Sequence, residues 1–157
     1  MQIVFNLFRQ RPAGLFFEQA RRRDVGVIAR VPLASGLLTG KLTRETRFAA
    51  DDHRSFNRHG EEFDVGETFA GVDLNVGIDA VEELRPLVPE GASLAQLALR
   101  WILMFDAVST VIPGARTPEQ ARANALAAEL PPLPEPALRA IAEIYATRIA
   151  PHVHQRW

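Results

Sequence analysis

The sequence contains no cysteine, which excludes disulfide bonds, thiolate metal sites and cysteine nucleophiles. It also has no uninterrupted apolar run near the roughly 20 residues that a membrane-spanning helix needs. The first twenty residues carry Arg9, Arg11 and Glu18 and lack a long apolar core. We therefore expect no signal peptide, no membrane association and a cytoplasmic location.

The sequence also has no large excess of positive or negative charge. The chain has 18 lysine and arginine residues against 19 aspartate and glutamate residues, a formal net charge of −1. Proteins that bind nucleic acids or membrane surfaces need a cationic excess, so neither partner is expected. The remaining features, 157 residues of which 47% are hydrophobic, are typical of one globular domain.

Lysine and tyrosine occur once each, as Lys41 and Tyr145. A mechanism that needs a tyrosine and a lysine together has only this one pairing available. His152 and His154 are spaced as a chelating pair, but no third ligand is clustered near them. No metal site is expected.

Strand-like and helix-like segments alternate along the chain. Short β-branched runs predict strands at residues 2–7, 27–31 and 108–112, and helical spacing follows at 15–23 and 74–88. A strand, a helix and a second strand within about thirty residues form a βαβ unit, whose strands are parallel.

Later helices carry recognisable N-terminal signals. Ser93 and Gln96 have the spacing of a capping box, and Thr117 precedes Pro118, as in a helix that begins with an N-cap and a proline. A final helix is predicted from apolar residues at helical spacing. They are Leu138, Ile141, Ala142 and Tyr145.

Three parallel strands cannot close a barrel, which takes about eight. An open sheet leaves two edges of unpaired backbone groups. The sequence therefore predicts an α/β chain that is part of a larger fold. Residues 42–72 are predicted to form a long polar loop, either functional or disordered, and residues 131–157 a C-terminal helix and tail.

Two segments are distinctive: residues 27–41, which read VIARVPLASGLLTGK, and residues 111–120, which read VIPGARTPEQ and are followed by Asn124. Together they closely resemble the last part of the aldo-keto reductase barrel, from strand six onward. The resemblance covers nearly the whole chain. It implies that residues 1–157 are the cofactor-binding part of a (β/α)8 TIM barrel that transfers a hydride between NADPH and an aldehyde or ketone.

The resemblance also implies which residues bind NADP(H). Gln2 is similar to the strand-six glutamine that contacts the nicotinamide carboxamide, and Lys41 would hold the pyrophosphate with the backbone of residues 32–36. The full set of expected cofactor-binding residues is Gln2, Arg30, Pro32, Leu33, Ser35, Gly36, Leu38, Lys41, Arg54, Gly114, Arg116, Gln120 and Asn124.

The chemistry of the second segment supports this assignment independently. Gly114 has no Cβ and lets the backbone approach a ligand closely. The helix that begins near Thr117 offers unpaired N–H groups to an anion. Arg116 suits the adenosine 2′-phosphate that distinguishes NADP from NAD. Gln120 and Asn124, four residues apart, share a helix face from which they could reach adenine and ribose.

The sequence departs from the family pattern at two cofactor positions. Many members have an aromatic residue at the position of Arg30, where it stacks on the nicotinamide. Arg30 is expected to meet a phosphate or to face solvent instead. Ala123 stands where a glutamate usually precedes the asparagine, which puts one adenine contact in doubt.

The family's catalytic residues, an aspartate, a tyrosine, a lysine and a histidine, belong to the first half of the barrel. The chain begins at what resembles strand six, so no catalytic residue is expected in it. Tyr145 is expected to pack between helices, and Lys41 is already matched to the cofactor. The isolated chain is therefore predicted to be inactive.

Three interpretations stay open. The chain is the C-terminal part of a reductase whose first strands come from another chain or were lost by truncation, a non-catalytic module that binds NADP(H) or a partner, or a non-functional remnant. In the first two, the open sheet edges are expected to pair with a complementing chain or a second copy.

Overall fold

A computed structural model describes residues 1–156 and contains one parallel sheet. Its strands are β1 (Gln2–Val4), β2 (Val27–Arg30) and β3 (Val108–Val111), hydrogen-bonded in the order β1-β2-β3. Ile3 lies beside Ala29 in the register. The predicted α/β class and the open three-stranded sheet are confirmed.

Eight α-helices surround the sheet within residues 1–156. In chain order they are α1 (Arg11–Leu15), α2 (Phe17–Arg22), α3 (His53–Phe56), α4 (Leu74–Leu84), α5 (Leu94–Ile102), α6 (Pro118–Leu126), α7 (Glu135–Ile144) and α8 (Ala150–Val153). None of these helices is long and apolar enough to cross a membrane.

The first strand is shorter than predicted, because Asn6 starts a turn. Its side-chain oxygen accepts a hydrogen bond from Phe8 N at 2.8 Å, and its carbonyl oxygen accepts one from Arg9 N at 2.9 Å. Asparagine side chains stabilise turns in this way. The strand therefore ends at Val4 instead of continuing to residue 7.

The helix predicted over residues 15–23 is two helices. The first begins at Arg11, with Pro12 in its first turn, where a missing N–H costs nothing. Phe16, with φ −114°, separates it from α2. The buried Phe17 and Ala20 nevertheless face the core as the pattern indicated.

An aromatic cluster joins the sheet to its helices. The Phe5 ring, just beyond β1, stacks on Trp101 of α5 with centroids 5.0 Å apart. It also meets Phe17 edge-on at 4.7 Å and Phe105 edge-on at 5.0 Å. Such pairs add about 0.5–1.5 kcal/mol each beyond the area that they bury. This cluster fixes α2 and α5 against the first strand.

Both predicted N-caps are confirmed. Ser93 Oγ accepts a hydrogen bond from Gln96 N at 3.2 Å, and the Gln96 side chain accepts one from Ser93 N at 2.9 Å, which completes a capping box. Thr117 Oγ1 accepts a hydrogen bond from Gln120 N at 3.3 Å at the start of α6.

Residues 42–72 are largely irregular, as predicted, but they are packed on the core rather than disordered. Phe69 and Ala70 are fully or almost fully buried. The buried Asn57 accepts hydrogen bonds from Glu62 N and Phe63 N at 2.9 and 2.8 Å. Hydrogen bonds to the buried Asn57 side chain thus stabilise a part of this loop that has no regular secondary structure.

The C-terminal segment is helical for longer than predicted. After α7 the chain forms a π-helical turn over Tyr145–Ile149, then α8. Tyr145 is buried and its hydroxyl lies 2.9 Å from His154 Nδ1, so it packs between helices as expected. Ala142, in contrast, is exposed rather than part of the buried stripe.

Candidate functional site

The turns that follow β2 and β3 lie side by side. Parallel neighbouring strands end at the same edge of a sheet, and ligand sites of α/β folds are built there. Ile112 N donates to Ala29 O at 3.1 Å, which extends the pairing to the ends of both strands. Residues 31–41 and 112–117 therefore begin next to each other.

The turn after β2 has an unusual backbone. Val31, Ala34 and Ser35 have φ values of 52°, 47° and 55°, and Gly36 has φ 99°. Left-handed φ at non-glycine residues is uncommon, and such residues cluster at ligand sites. Ser35 Oγ stabilises the turn, because it donates to Glu67 O at 2.8 Å and accepts from Phe69 N at 3.2 Å.

Helix α4 packs against the turn after β2 and stabilises it. Leu37 is almost fully buried against Gly77, where an added Cβ would lie 2.6 Å from Leu37 Cδ1. Arg85 Nη2 donates to Gly40 O at 2.8 Å and so fixes the end of the turn.

Three predicted site residues of this turn differ in exposure. Leu38 is fully buried in the core, backbone and side chain alike. Pro32 is buried as well, and Leu33 is half-buried. Side-chain contacts with a ligand would therefore have to come from their neighbours.

Arg30, at the end of β2, is paired with an acidic side chain, a contact that the sequence did not indicate, and its contact with a phosphate stays a prediction. Its guanidinium donates to both carboxylate oxygens of Glu67, at 2.7 and 3.0 Å. The two side chains are 39% and 25% exposed. A bidentate pair of this kind fixes the plane of the guanidinium.

Gln2 and Arg30 line a common open cleft of about 290 Å³. Glu67, Arg9 and Asp64 line it as well. Gln2 is exposed at the free edge of β1. The structure thus places Gln2, which the resemblance assigned to the nicotinamide, in the same cleft as Arg30.

Arg54 contacts the turn after β2 from the long loop. Its Nη1 donates to Ser35 O at 3.4 Å, and its guanidinium lies 4.4 Å from the Phe48 ring centre. Asp52 accepts two hydrogen bonds from the Arg54 side chain, at 2.9 and 2.5 Å. These bonds lower the pKa of Asp52 to about 2. Lys41 follows the turn and is exposed.

The remaining predicted residues form a separate group at the start of α6. Gln120 Oε1 accepts a hydrogen bond from Arg116 N at 2.8 Å, and Asn124 Nδ2 donates to Gly114 O at 3.2 Å. In this structure the two amides therefore hold their own turn, a contact that the sequence did not indicate. The surface at Gly114 is open, since no atom lies within 4 Å of a Cβ added there.

Arg116 is the exposed cation of this group. Within residues 1–156 its side chain has no acidic partner. Beside it, α6 begins with Thr117 as N-cap, and N–H groups of a first helical turn favour an anion. No hydrogen bond in the described part of the chain joins this group to Gln2, Arg30 or Arg54.

Sequence reasoning missed two residues of the site, Glu67 and Arg9. Arg9 is only 4% exposed and its Nε donates to Ala70 O at 2.7 Å. Burial lowers the pKa of its guanidinium, and the nearby Asp64 opposes that shift. An added Cβ on Gly66 would collide with Arg9 Nη2. Arg9 thus holds residues 64–71, from which Glu67 reaches Arg30.

No metal-binding cluster occurs in the described residues 1–156, where no three histidine, aspartate or glutamate side chains come together.

The described residues thus form an open parallel α/β sheet, with the exposed Arg116 beside the N-terminus of α6. A family model described as the aldo/keto reductase family matches residues 1–146. The chain belongs to this family, which confirms the resemblance seen in the sequence.

Individual proteins agree with this assignment. A probable voltage-gated potassium channel subunit beta from Arabidopsis thaliana is 30% identical over 142 residues, 86% of this chain and 40% of that protein. The NADH-specific methylglyoxal reductase of Escherichia coli strain K12 is 32% identical over 108 residues, 67% of this chain and 30% of that protein.

Among solved structures, glycerol dehydrogenase from Gluconobacter oxydans superposes with a TM-score of 0.74 and 27% identity. The match covers 97% of this chain and 42% of that one. The chain therefore spans between 30% and 42% of the length of these three relatives.

Proposed function

We propose that this chain is the NADP(H)-binding part of an aldo/keto reductase that transfers a hydride between NADPH and an aldehyde or ketone. The observation that carries the proposal is the position of Arg116. This exposed cation lies beside the N-terminus of α6, at the sheet edge that also bears the left-handed turn after β2. Two neighbouring anion-binding elements suit a ligand with phosphates at two places.

The adenine end of the cofactor is assigned to the start of α6. Arg116 would hold the 2′-phosphate, because its planar guanidinium makes paired hydrogen bonds to phosphate oxygens. The open surface at Gly114 lets the ligand approach the backbone. Gln120 Oε1 and Asn124 Nδ2 hold the turn through Arg116 N and Gly114 O, and Gln120 Nε2 and Asn124 Oδ1 would contact adenine and ribose.

The pyrophosphate and nicotinamide are assigned to the turn after β2 and the adjoining cleft. Lys41, Arg54 and the backbone around Ser35 and Gly36 would hold the pyrophosphate. Gln2 would bind the nicotinamide carboxamide from the free edge of β1. The cofactor, when bound, supplies the hydride.

NADP(H) is preferred over NAD(H) because of Arg116. The E. coli relative is NADH-specific by name, so membership of the family does not decide the nucleotide. An exposed guanidinium without an acidic partner in residues 1–156 gains most from a dianionic phosphate. A cofactor that lacks the 2′-phosphate would leave the Arg116 guanidinium in solvent.

The proton needed at the carbonyl oxygen is assigned to residues outside this chain. Tyr145 is the only tyrosine; its hydroxyl contacts His154, and burial raises its pKa. Lys41 is the only lysine and is exposed beyond the turn after β2. The Asp-Tyr-Lys-His tetrad would therefore come from other strands of the barrel. The second candidate function is a non-catalytic module that binds NADP(H), and the position of Arg116 supports it equally.

Replacing Arg116 by alanine tests the cofactor assignment. Loss of a charge-assisted contact is expected to weaken NADPH binding about tenfold or more and to change NADH binding by less than about twofold. The matched control is Arg122→Ala on the same helix, where the side chain is exposed and lies near Glu119. Equal loss for both nucleotides would refute the role of Arg116.

The assignment of chemistry is tested separately. The chain mixed with NADPH and methylglyoxal is expected to show no cofactor oxidation above the buffer rate. Turnover by the chain alone that Tyr145→Phe abolishes would contradict the external tetrad.

A further inference from the structure

A second cleft of about 180 Å³ adjoins the cleft that holds Gln2 and Arg30. Arg58, His59, Asp73 and Arg156 contribute to its lining. Arg156 lines both clefts, so they meet at this side chain. None of these four residues belongs to the proposed cofactor contacts.

The carboxylates that line the two clefts are already engaged. Asp64 accepts a hydrogen bond from Gly66 N at 2.7 Å, and Asp73 accepts one from Asn75 N at 2.8 Å. Glu67 holds Arg30 through both of its oxygens. These acids stabilise their own turns or a different arginine, and none is paired with Arg58 or Arg156.

Four arginines and three acids line the two clefts, so positive charge exceeds negative charge by one where they meet. Within residues 1–156, neither Arg58 nor Arg156 has an acidic partner. Arg156 also lies close enough to Arg9 for its charge to lower the pKa of Arg9. Like charges so placed favour an incoming anion, and an open cleft with charged walls attracts one.

We propose that the junction at Arg156 binds the phosphate group of a phosphorylated carbonyl substrate. Arg156 and Arg58 pair with the phosphate oxygens, and His59 is positioned to add a hydrogen bond. The carbon chain then extends through the larger cleft toward Gln2, where the nicotinamide is assigned. The proposal rests on the proposed function, since it names the substrate class of that same site.

Binding to the full chain tests the proposal without requiring turnover. Glycerol 3-phosphate, inorganic phosphate and glycerol are titrated calorimetrically, each with and without saturating NADPH. Glycerol 3-phosphate is expected to bind more tightly than inorganic phosphate, glycerol not at all, and NADPH not to compete. Arg156→Ala and Arg58→Ala are each expected to weaken glycerol 3-phosphate binding about tenfold or more.

Controls separate this site from the cofactor site. Arg139→Ala removes an exposed arginine of α7 near Glu135 and is expected to change nothing. Arg156→Lys keeps the charge and is expected to restore part of the affinity. Competition by NADPH, or loss on Arg116→Ala but not on Arg156→Ala, would place the anion in the cofactor site and overturn the proposal.

Two further outcomes are decisive. Equal affinity for glycerol 3-phosphate and inorganic phosphate would make this a site for free phosphate and overturn the substrate assignment. Failure of NADPH itself to bind would refute the proposed function, whereas the effects of Arg156→Ala on glycerol 3-phosphate would still decide the anion site.

Discussion

Arg30 and Glu67 are 37 residues apart in the chain and are joined by two parallel hydrogen bonds, at 2.7 and 3.0 Å. The pair connects the end of β2 to the 64–71 segment. Ser35, five residues beyond Arg30, bonds to the same segment through Glu67 O and Phe69 N. The backbone of the turn after β2 is thus held from a distant part of the sequence.

Glu67→Gln is expected to lower the free energy of unfolding by up to about 1 kcal/mol, because both partners are partly exposed and solvent screens the pair. Glu18→Gln is the control at an exposed pair: it removes the helical pair with Arg22 and a carboxylate of the first turn of α2, each worth about 0.3–0.5 kcal/mol. Urea denaturation measures both. A smaller effect at Glu67 than at Glu18 would contradict the anchoring role of the Arg30–Glu67 pair.

Gly77→Ala is expected to destabilise the chain by about 1–3 kcal/mol, because the added methyl meets buried Leu37 at 2.6 Å. It should also weaken NADPH binding, since Leu37 belongs to the turn after β2. Gly14→Ala is the control: no atom lies within 4 Å, and alanine favours a helix by up to about 1 kcal/mol. Thermal melting with and without NADPH measures both effects. Equal melting temperatures for the two variants would show that α4 does not support the turn.

The sequence predicted the features that depend on near neighbours. The caps at Ser93 and Thr117 and the approximate positions of the strands follow from patterns within a few residues. Residues 27–41 and 111–120 were singled out because they resemble the aldo-keto reductase family, and their role in cofactor binding stays a prediction. Each of these signals is complete in one short stretch of chain.

The features that escaped prediction depend on distant contacts. Arg9 is buried because residues 64–71 fold over it, and no spacing near Arg9 indicates that. The pairing of Arg30 with Glu67 likewise needs the path of the whole 42–72 loop. The break at Phe16 was not indicated by the spacing of apolar residues, and α2 beyond it packs Phe17 against the distant Phe5.

Asp52 gives a pH dependence with a definite sign. Its folded-state pKa of about 2 lies below the ordinary 3.8, because Arg54 donates hydrogen bonds to it. A lowered pKa stabilises the fold above the ordinary value, and the benefit is lost as the pH falls from 3.8 through about 2. Asp52→Asn, which keeps the N-cap of α3, is expected to cost about 1 kcal/mol at neutral pH.

Urea titrations across that pH range measure the Asp52 contribution. The difference between wild type and Asp52→Asn is expected to vanish at the acidic end. A difference that stays constant with pH would show that the carboxylate charge is not what stabilises this turn.

The free edges of β1 and β3 are expected to drive self-association. Met1 O and Phe5 N bond to β2, so the backbone groups of Gln2 point outward from the sheet. Gln2→Pro removes an outward N–H and is expected to reduce the dimer or aggregate fraction in light scattering. A wild-type chain that is monomeric and melts cooperatively would contradict this expectation.

The proposed function requires that this chain by itself binds NADP(H). Calorimetric titration of the unmodified chain with NADPH tests it most directly. We predict saturable binding of one NADPH per chain, tighter than NADH under the same conditions. Absence of saturable heat up to millimolar NADPH, from a chain that still unfolds cooperatively, would contradict the account.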